Sequence, residues 1–148
     1  MSENPPGSTA LNELMGECFR LNRNLIEVAQ QLTDGTGVTG TQWGVLSALG
    51  LDGAPGTVAE TARRRGMARQ SVQRIADLLA DLGLVKYLPS PADKRAQLVE
   101  VTKAGKLLLD ELEQRQQAWL KDIAGSYRDV DINTAIQLLK NIRQHISE

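Results

Sequence analysis

The sequence predicts a mainly α-helical protein of about six helices with one small β-hairpin. Apolar residues recur at helical spacing from Leu11 to Leu32 and again, in the C-terminal third, as far as Ile146. Two short β-prone runs, 84–88 and 97–101, flank a segment whose prolines exclude a helix. The 148 residues are enough for one ordinary domain or two small lobes, and because only 3% are aromatic the core must be aliphatic.

The N-terminal segment predicts a disordered tail followed by a long amphipathic helix. Residues 1–8 are polar and contain two prolines. The helix begins near Thr9, and its apolar stripe runs from Leu11 to Leu32, before the segment GTGVTG, residues 35–40. That segment matches the G-x-G-x-x-G pattern of dinucleotide sites, which requires a preceding strand. Because a helix precedes it here, we interpret it as a loop.

Capping-box spacing marks the start of the second and third helices. Thr39 and Gln42 open the second helix. Thr57 and Glu60 open the third, after the turn-forming segment LDGAPG, residues 51–56.

A fourth helix follows the third directly, and two glycines, Gly66 and Gly83, end these two helices. The apolar positions of the fourth helix form one face and its polar positions the opposite one. The predicted buried face comprises Val72, Ile75, Ala76, Leu79 and Leu82, and the outward face comprises Arg69, Gln70, Gln73, Arg74 and Asp77.

Thr102 and Asp131 are the predicted N-caps of a fifth and a sixth helix. The fifth follows the hairpin and continues to about Tyr127, and the sixth runs almost to the C-terminus. Like the first helix, both carry apolar stripes that need a partner surface.

Positive charge is concentrated in one segment of a nearly neutral chain. RRRGMARQSVQR, residues 63–74, contains five arginines and no acidic residue, although the net charge of the chain is −1. From Ala62 to Arg95, eight basic residues stand against three acidic ones, a net charge of +5, so the remaining 114 residues carry −6. Such a local excess is typical of a surface that binds a polyanion.

The spacing within residues 57–82 predicts a helix-turn-helix motif. Ala62 is small where two helices cross, Gly66 lies at the turn, and Val72 and Ile75 anchor the second helix on the first. In that motif the second helix enters the major groove of DNA. The hairpin that follows would be the wing of a winged helix-turn-helix lobe, which we place at residues 39–102.

The outward face of this lobe has the residue types that contact base edges and phosphates. Arg74 is suited to guanine, Gln70 or Gln73 to adenine, and the other basic residues to phosphate. An alternative is that this arginine-rich face is simply solvated, but the turn glycine, the buried stripe and the hairpin in this order favour DNA. The predicted DNA-binding residues are Arg63, Arg64, Arg65, Arg69, Gln70, Ser71, Gln73, Arg74, Lys94 and Arg95.

The sequence resembles the MarR family of transcription regulators over nearly its whole length, from VTGTQWGVLSAL through TVAETARRRGMARQSVQRIADLLADLGLV to DKRAQLVEVTKAG. The last stretch is similar to the wing signature of that family, at Asp93, Arg95, Thr102 and Gly105. The resemblance implies that Arg95 enters the minor groove and that Asp93 supports the wing. Ala68 departs from the family pattern, because a Ser or Thr usually caps the recognition helix there.

The same resemblance implies an intertwined homodimer, with residues 9–38 and 103–148 as a helical dimerisation region and two lobes on a palindromic operator. It further implies a repressor, or less often an activator, released by a small aromatic or phenolic ligand. The alternatives are an architectural DNA binder without an effector, and a winged-helix protein that binds another protein or structured RNA.

Cys18 raises a separate hypothesis. The stretch ECFRLNR resembles the first helix of the peroxide-sensing branch of the family, in which a Cys followed by Phe is oxidised. However, Cys18 lies on the apolar stripe with Leu14 and Leu21, and the tyrosines that support the thiolate in that branch are missing. We therefore favour a small ligand over peroxide as the effector.

Other function classes lack the residues they need. The chain has one histidine, His145, and one cysteine, too few for the usual zinc sites or for a nucleophile with its base. We predict no enzyme, no metal and no cofactor. The absence of a signal-peptide pattern and of a long apolar run predicts a cytoplasmic protein with no membrane partner.

Overall fold

The computed structural model describes residues 5–92, 95 and 97–147. These residues form six helices and one two-stranded antiparallel sheet, which confirms the mainly α fold with a hairpin. The elements in chain order are α1 (Ser8–Leu32), α2 (Gly40–Gly50), α3 (Val58–Arg65), α4 (Arg69–Asp81), β1 (Val85–Pro89), β2 (Gln97–Val101), α5 (Lys103–Ala124) and α6 (Asp129–Ile146).

The chain forms two compact units, Met1–Leu112 and Glu113–Glu148. The first unit contains α1 to α4, the hairpin and the first turns of α5, and the second contains the rest of α5 and α6. No described helix has the length and apolar character needed to cross a membrane.

The core of the first unit is aliphatic, as predicted. It extends beyond the predicted lobe limits of 39–102, to Val38 on one side and to Leu112 of α5 on the other. Each fully buried side chain of this size contributes about 1.5–3 kcal/mol by leaving water. The largest fully buried side chains are Val45, Leu46, Val72, Leu79, Val99 and Leu112.

Both predicted capping boxes are present. At the start of α2 the Gln42 N–H donates to Thr39 Oγ1 at 3.2 Å and the Thr39 N–H donates to Gln42 Oε1 at 2.9 Å. At the start of α3 the Glu60 N–H donates to Thr57 Oγ1 at 3.1 Å and the Thr57 N–H donates to Glu60 Oε2 at 3.2 Å. Two N-terminal backbone groups are thereby satisfied at each helix start.

The hairpin pairs Val85 with Val101 and Tyr87 with Val99, so β1 begins one residue later than the predicted run 84–88. A contact that the sequence did not predict joins the hairpin to the α2–α3 turn. The Gly56 N–H donates to the Val99 carbonyl at 3.0 Å, and the Val99 N–H donates to the Gly56 carbonyl at 2.7 Å. The turn before α3 is thus bonded to the wing strand β2.

Several predicted boundaries are corrected by the structure. α1 begins at Ser8, and α5 ends at Ala124 rather than near Tyr127. The N-cap of α6 is Arg128 rather than Asp131, and Asp131 lies in the first turn and accepts hydrogen bonds from the Arg128 guanidinium at 2.8 and 2.9 Å.

Leu82, predicted on the buried face of α4, is 52% exposed. It is the C-cap residue, one position beyond the last helical residue.

Candidate nucleic-acid interface

α3 and α4 form the helix-turn-helix motif around a left-handed glycine. Gly66 has a φ of 61° directly after α3, a conformation that glycine adopts at little cost. The Met67 N–H donates to the Ala62 carbonyl at 3.0 Å and closes the end of α3. Ala62 of α3 and Val72 and Ala76 of α4 are buried in the shared core. The turn and the buried face of α4 therefore leave the opposite face of α4 towards solvent.

That opposite face offers hydrogen-bond donors to solvent. Arg69, Gln70 and Arg74 are exposed, and none of them has a side-chain hydrogen bond or ion pair with another described residue. Arg63, in the last turn of α3, is exposed in the same way, and Ser71 is half-buried. Guanidinium and amide groups of this kind can bond to base edges or phosphate oxygens without first breaking an internal bond.

The N-terminus of α4 has no side-chain cap. Ala68 is the N-cap residue, with extended φ and ψ of −64° and 139°, and its methyl group cannot accept the free N–H groups of the first turn. The first turn also contains no acidic residue. The positive end of the helix dipole is therefore uncompensated beside Arg69, which favours an anion there.

The three arginines of α3 do not share one environment. Arg64 donates a hydrogen bond to Asp52 Oδ2 at 2.6 Å, in the loop before α3, and this bond raises the pKa of Arg64. The guanidinium of Arg65 lies against Gly44 of α2, where any Cβ would collide with it. Arg64 therefore has to leave Asp52 before it can contact a phosphate, and Arg65 faces α2.

Gln73, predicted to read adenine, is held by two side chains. Its Nε2 donates to Asp77 Oδ1 at 3.1 Å and to the Tyr87 hydroxyl at 2.9 Å, and the Tyr87 hydroxyl donates to Asp77 Oδ1 at 2.5 Å. This triangle joins α4 to β1. Asp77 is four residues after Gln73, a spacing that the sequence could have revealed, whereas Tyr87 comes from a different element.

Tyr87 is a phenol in a partly apolar environment. Burial against the core and the hydrogen bond to the negatively charged Asp77 together raise the pKa of Tyr87 to about 12. The hydroxyl therefore keeps its proton at neutral pH and remains a donor to Asp77.

Of the predicted wing-tip residues, Asp93 and Lys94 lie outside the described residues, and Arg95 is exposed. Along the hairpin, Lys86 pairs with Glu100 at 2.9 Å across the two strands.

The remaining two positions of the wing signature, Thr102 and Gly105, have a clear structural role. The Thr102 hydroxyl donates to the Gly83 carbonyl at 2.6 Å and accepts from the Gly105 N–H at 3.2 Å, so it caps α5 as predicted. The Thr102 N–H donates to the Leu84 carbonyl at 3.0 Å. A Cβ at residue 105 would collide with that same carbonyl, so only glycine fits. The end of α4, the start of β1 and the first turn of α5 are thus bonded together.

A crevice of about 230 Å³ opens between the C-terminal part of α1 and the start of α2. Its wall is partly apolar and carries one cation, Arg65. The lining residues are Leu25, Ile26, Ala29, Gln30, Thr39, Gly40, Thr41 and Arg65.

Cys18 is a free, half-buried cysteine on α1. Within the described part of the chain, no group of three or more His, Cys, Asp or Glu side chains could hold a metal ion.

Comparison with known sequences places the lobe in one family. A MarR family model matches residues 36–96. The uncharacterized protein Rv2011c of Mycobacterium tuberculosis is 31% identical over 108 residues, which are 73% of this chain and 74% of the relative. The transcriptional activatory protein BadR of Rhodopseudomonas palustris is 25% identical over 134 residues, 88% of this chain and 77% of the relative.

Solved structures with the same fold cover almost the whole chain. The MarR family transcription regulator SP03579 superposes with a TM-score of 0.84 at 19% identity, over 95% of this chain and 92% of that one. A mutant of Escherichia coli MarR complexed with operator DNA gives 0.79 at 21% identity, over 94% and 99%. CouR of Rhodococcus jostii bound to p-coumaroyl-CoA gives 0.74 at 21% identity, over 83% and 86%.

The match of the family model, the winged helix-turn-helix geometry and the shared fold agree with one another. The chain therefore belongs to the MarR family of DNA-binding transcription regulators.

Proposed function

We propose that this regulator is a homodimer that represses transcription from a palindromic operator and leaves the DNA when a small aromatic or phenolic ligand binds. The observation that carries the DNA-binding part is that Arg69, Gln70 and Arg74 are exposed beside the uncapped N-terminus of α4 and have no side-chain bond to another described residue. In this proposal the protein binds DNA and a ligand without catalysing a reaction, and it acts in the cytoplasm, where the operator is accessible.

The proposed contacts follow from the environment of each side chain. α4 lies in the major groove, where Arg74 bonds to guanine N7 and O6 and Gln70 bonds to adenine. Arg63, Arg69 and Ser71 contact phosphates, and Arg64 and Arg65 contribute to the positive potential from further away. Lys94 and Arg95 are the proposed minor-groove residues at the wing tip, with Asp93 supporting the wing.

Exposed apolar side chains on the terminal helices support the homodimer. Neither α1 nor α6 contains a buried residue in the single chain, although both have an apolar stripe. A monomer rarely leaves so much apolar surface in water, and a second copy of the same stripes would cover it. We therefore retain residues 9–38 and 103–148 as the proposed dimerisation region. The exposed apolar residues on these two helices include Leu11, Met15, Phe19, Leu21, Leu25, Ile26, Val130, Ile132, Ile136, Leu138, Leu139 and Ile146.

The crevice beside Arg65 supports a small anionic effector. Leu25 and Ile26 give it an apolar wall, and the Arg65 guanidinium supplies one positive charge. This combination suits an aromatic carboxylate or phenolate. CouR, a structure of the same fold, is bound to p-coumaroyl-CoA, an aromatic acyl compound.

Peroxide sensing through Cys18 is the second candidate, and the free thiol on α1 is what favours it. The test compares operator binding by the natural protein and by Cys18→Ser, with and without a mild organic hydroperoxide. Release of DNA by the natural protein alone would replace the ligand hypothesis with oxidation of this thiol. Equal binding in all four samples would leave the ligand hypothesis in place.

Selection of bound duplexes from a random pool tests the central proposal. We expect an inverted repeat whose half-sites lie about one helical turn apart, roughly 10 base pairs. Binding without any selected sequence would instead indicate an architectural DNA binder, and failure to retain duplex DNA would direct the search to a protein or RNA partner.

A further inference from the structure

We propose that Asp77 and Tyr87 set the base preference of the recognition helix by fixing the orientation of the Gln73 amide, so that Gln73 presents its carbonyl oxygen, a hydrogen-bond acceptor, to DNA. Asp77 and Tyr87 are positioning residues in this proposal, since they act through Gln73. The proposal rests on the proposed placement of α4 in the major groove.

The orientation of the amide follows from the partners of its nitrogen. A carboxylate only accepts hydrogen bonds, so the atom of Gln73 that faces Asp77 Oδ1 at 3.1 Å must be the nitrogen. The reversed amide would set its oxygen against the Asp77 carboxylate and would be repelled.

The third member of the triangle accepts from the same amide nitrogen. The Tyr87 hydroxyl gives its only hydrogen to Asp77 at 2.5 Å, so its oxygen can only accept from Gln73, at 2.9 Å. The phenol remains protonated at neutral pH, because its pKa is raised to about 12. The Gln73 amide nitrogen is therefore held inside the protein by two acceptors that lie on the same side of it.

The carbonyl oxygen Oε1 of Gln73 lies on the side of the amide away from these two acceptors, so it is the atom that Gln73 presents to DNA. In the major groove, adenine N6 and cytosine N4 are the exocyclic donors, whereas guanine and thymine present acceptors there. The bidentate contact of glutamine with adenine needs the amide nitrogen to face the base as well, so the bonds of Nε2 to Asp77 and Tyr87 oppose it. Gln73 should thus favour adenine or cytosine over guanine or thymine at one position of each half-site.

The experiment compares the sequences selected from a random duplex pool by the full-length natural protein and by four variants: Gln73→Ala, Asp77→Ala, Asp81→Ala and Tyr87→Phe. Asp77→Ala is the decisive variant. Without the carboxylate, a reversed Gln73 amide can accept the hydrogen of the Tyr87 hydroxyl at its carbonyl oxygen, so the amide reverses and its N–H groups face the groove. Asp81→Ala is the matched control, because it removes the same charge from the same helix and lies outside the hydrogen-bonded triangle.

We expect the natural protein to prefer adenine or cytosine at that position by about twofold to tenfold, the contribution of one hydrogen bond. Asp77→Ala should shift that position to guanine or thymine and leave the others unchanged. Gln73→Ala should lose the preference, and Tyr87→Phe, which removes one of the two acceptors that hold the amide nitrogen, should weaken it. Asp81→Ala should bind all sequences more tightly without a change in the selected motif, because it only removes negative charge.

Two results would overturn the inference. One is the natural motif selected unchanged by Asp77→Ala, and the other is the natural motif selected unchanged by Gln73→Ala. If the triangle had a merely structural role, the variants that break it would lower the affinity for all sequences equally, and they would not replace one preferred base by another. Lack of any motif with the natural protein is a different outcome, since it would refute the proposed function itself.

Discussion

The Arg64 guanidinium donates a hydrogen bond to the Asp52 carboxylate at 2.6 Å and so bonds α3 to the loop that precedes it. Asp52 therefore competes with a DNA phosphate for this arginine. The two residues should have opposite effects on DNA affinity.

We expect Asp52→Ala to release Arg64 and strengthen binding to all duplexes, with the slope of log K against log salt steeper by up to about 0.9 for one added phosphate contact. Arg64→Ala should weaken binding less than Arg63→Ala, because Arg63 is uncommitted among the described residues. Titrations at several salt concentrations measure both quantities. Weaker binding by Asp52→Ala would show that the pair supports the interface instead.

Arg74→Ala should cost about 1–3 kcal/mol of operator affinity and remove the preference at one base position, because Arg74 is the proposed guanine contact. Arg63→Ala is the matched control, since it should weaken all sequences about equally. Competition binding with single-base operator variants measures the two patterns. An unchanged base preference in Arg74→Ala would exclude it as a base-reading residue.

Tyr87 should make the free energy of unfolding depend on pH in the alkaline range. Its pKa is raised from about 10 in the unfolded chain to about 12 in the folded protein, so only the unfolded state loses this proton between those values. The stabilisation is complete below about pH 10 and is lost as the pH rises to about 12.

Urea unfolding of the natural protein and of Tyr87→Phe at several pH values measures this effect. The advantage of the natural protein should be constant near neutrality and should shrink above about pH 10. A constant difference up to about pH 12 would mean that folding does not raise the pKa of this phenol through burial and the bond to Asp77.

Gly105→Ala should destabilise the protein by about 1–3 kcal/mol, because the added Cβ collides with the Leu84 carbonyl and the backbone has to shift. Gly125→Ala is the control, since nothing lies within 4 Å of a Cβ there, and it should change stability by less than about 0.5 kcal/mol. Thermal unfolding compares the two. An equal loss of stability in the two variants would indicate that the backbone around the first turn of α5 can shift at little cost.

The protein should be a dimer in the absence of DNA. Removal of residues 131–148 should uncover apolar side chains of the remaining terminal helices and cause aggregation or dissociation. Sedimentation velocity at micromolar concentration tests both chains. A monodisperse monomer, for either the intact or the truncated protein, would contradict the proposed dimerisation region.

The helix boundaries are predictable from the sequence where a local rule decides them. Thr39 with Gln42 and Thr57 with Glu60 form the capping boxes that their spacing predicts, and Gly66 ends α3 in the left-handed conformation. The predicted start of α6 was wrong because Asp131 is an acceptable cap by residue type, whereas the chain turns into the helix at Arg128. Local patterns identify caps more reliably when two residues have to match.

The interface was predicted as a set of residue types, and the partners of those residues were not. Arg64 and Gln73 look like Arg63 and Gln70 in the sequence, yet the first pair is bonded inside the protein. Their partners Asp52 and Tyr87 lie 12 and 14 residues away, on other elements. Contacts between residues so far apart in the sequence depend on how the helices and the hairpin pack. The periodicity along one helix carries no information about that packing.

The bonds around Thr102 limit how a signal can reach the DNA-binding surface. Since the first turn of α5 is bonded to the end of α4 and to the start of β1, and Leu112 is buried in the same core, these parts should rotate together as a rigid body. A force applied to the start of α5 would then turn α4 without deforming it. Regulation through this helix would change where the two recognition helices of a dimer meet the duplex. Each recognition helix would keep the same base preference whether or not an effector is bound to the protein.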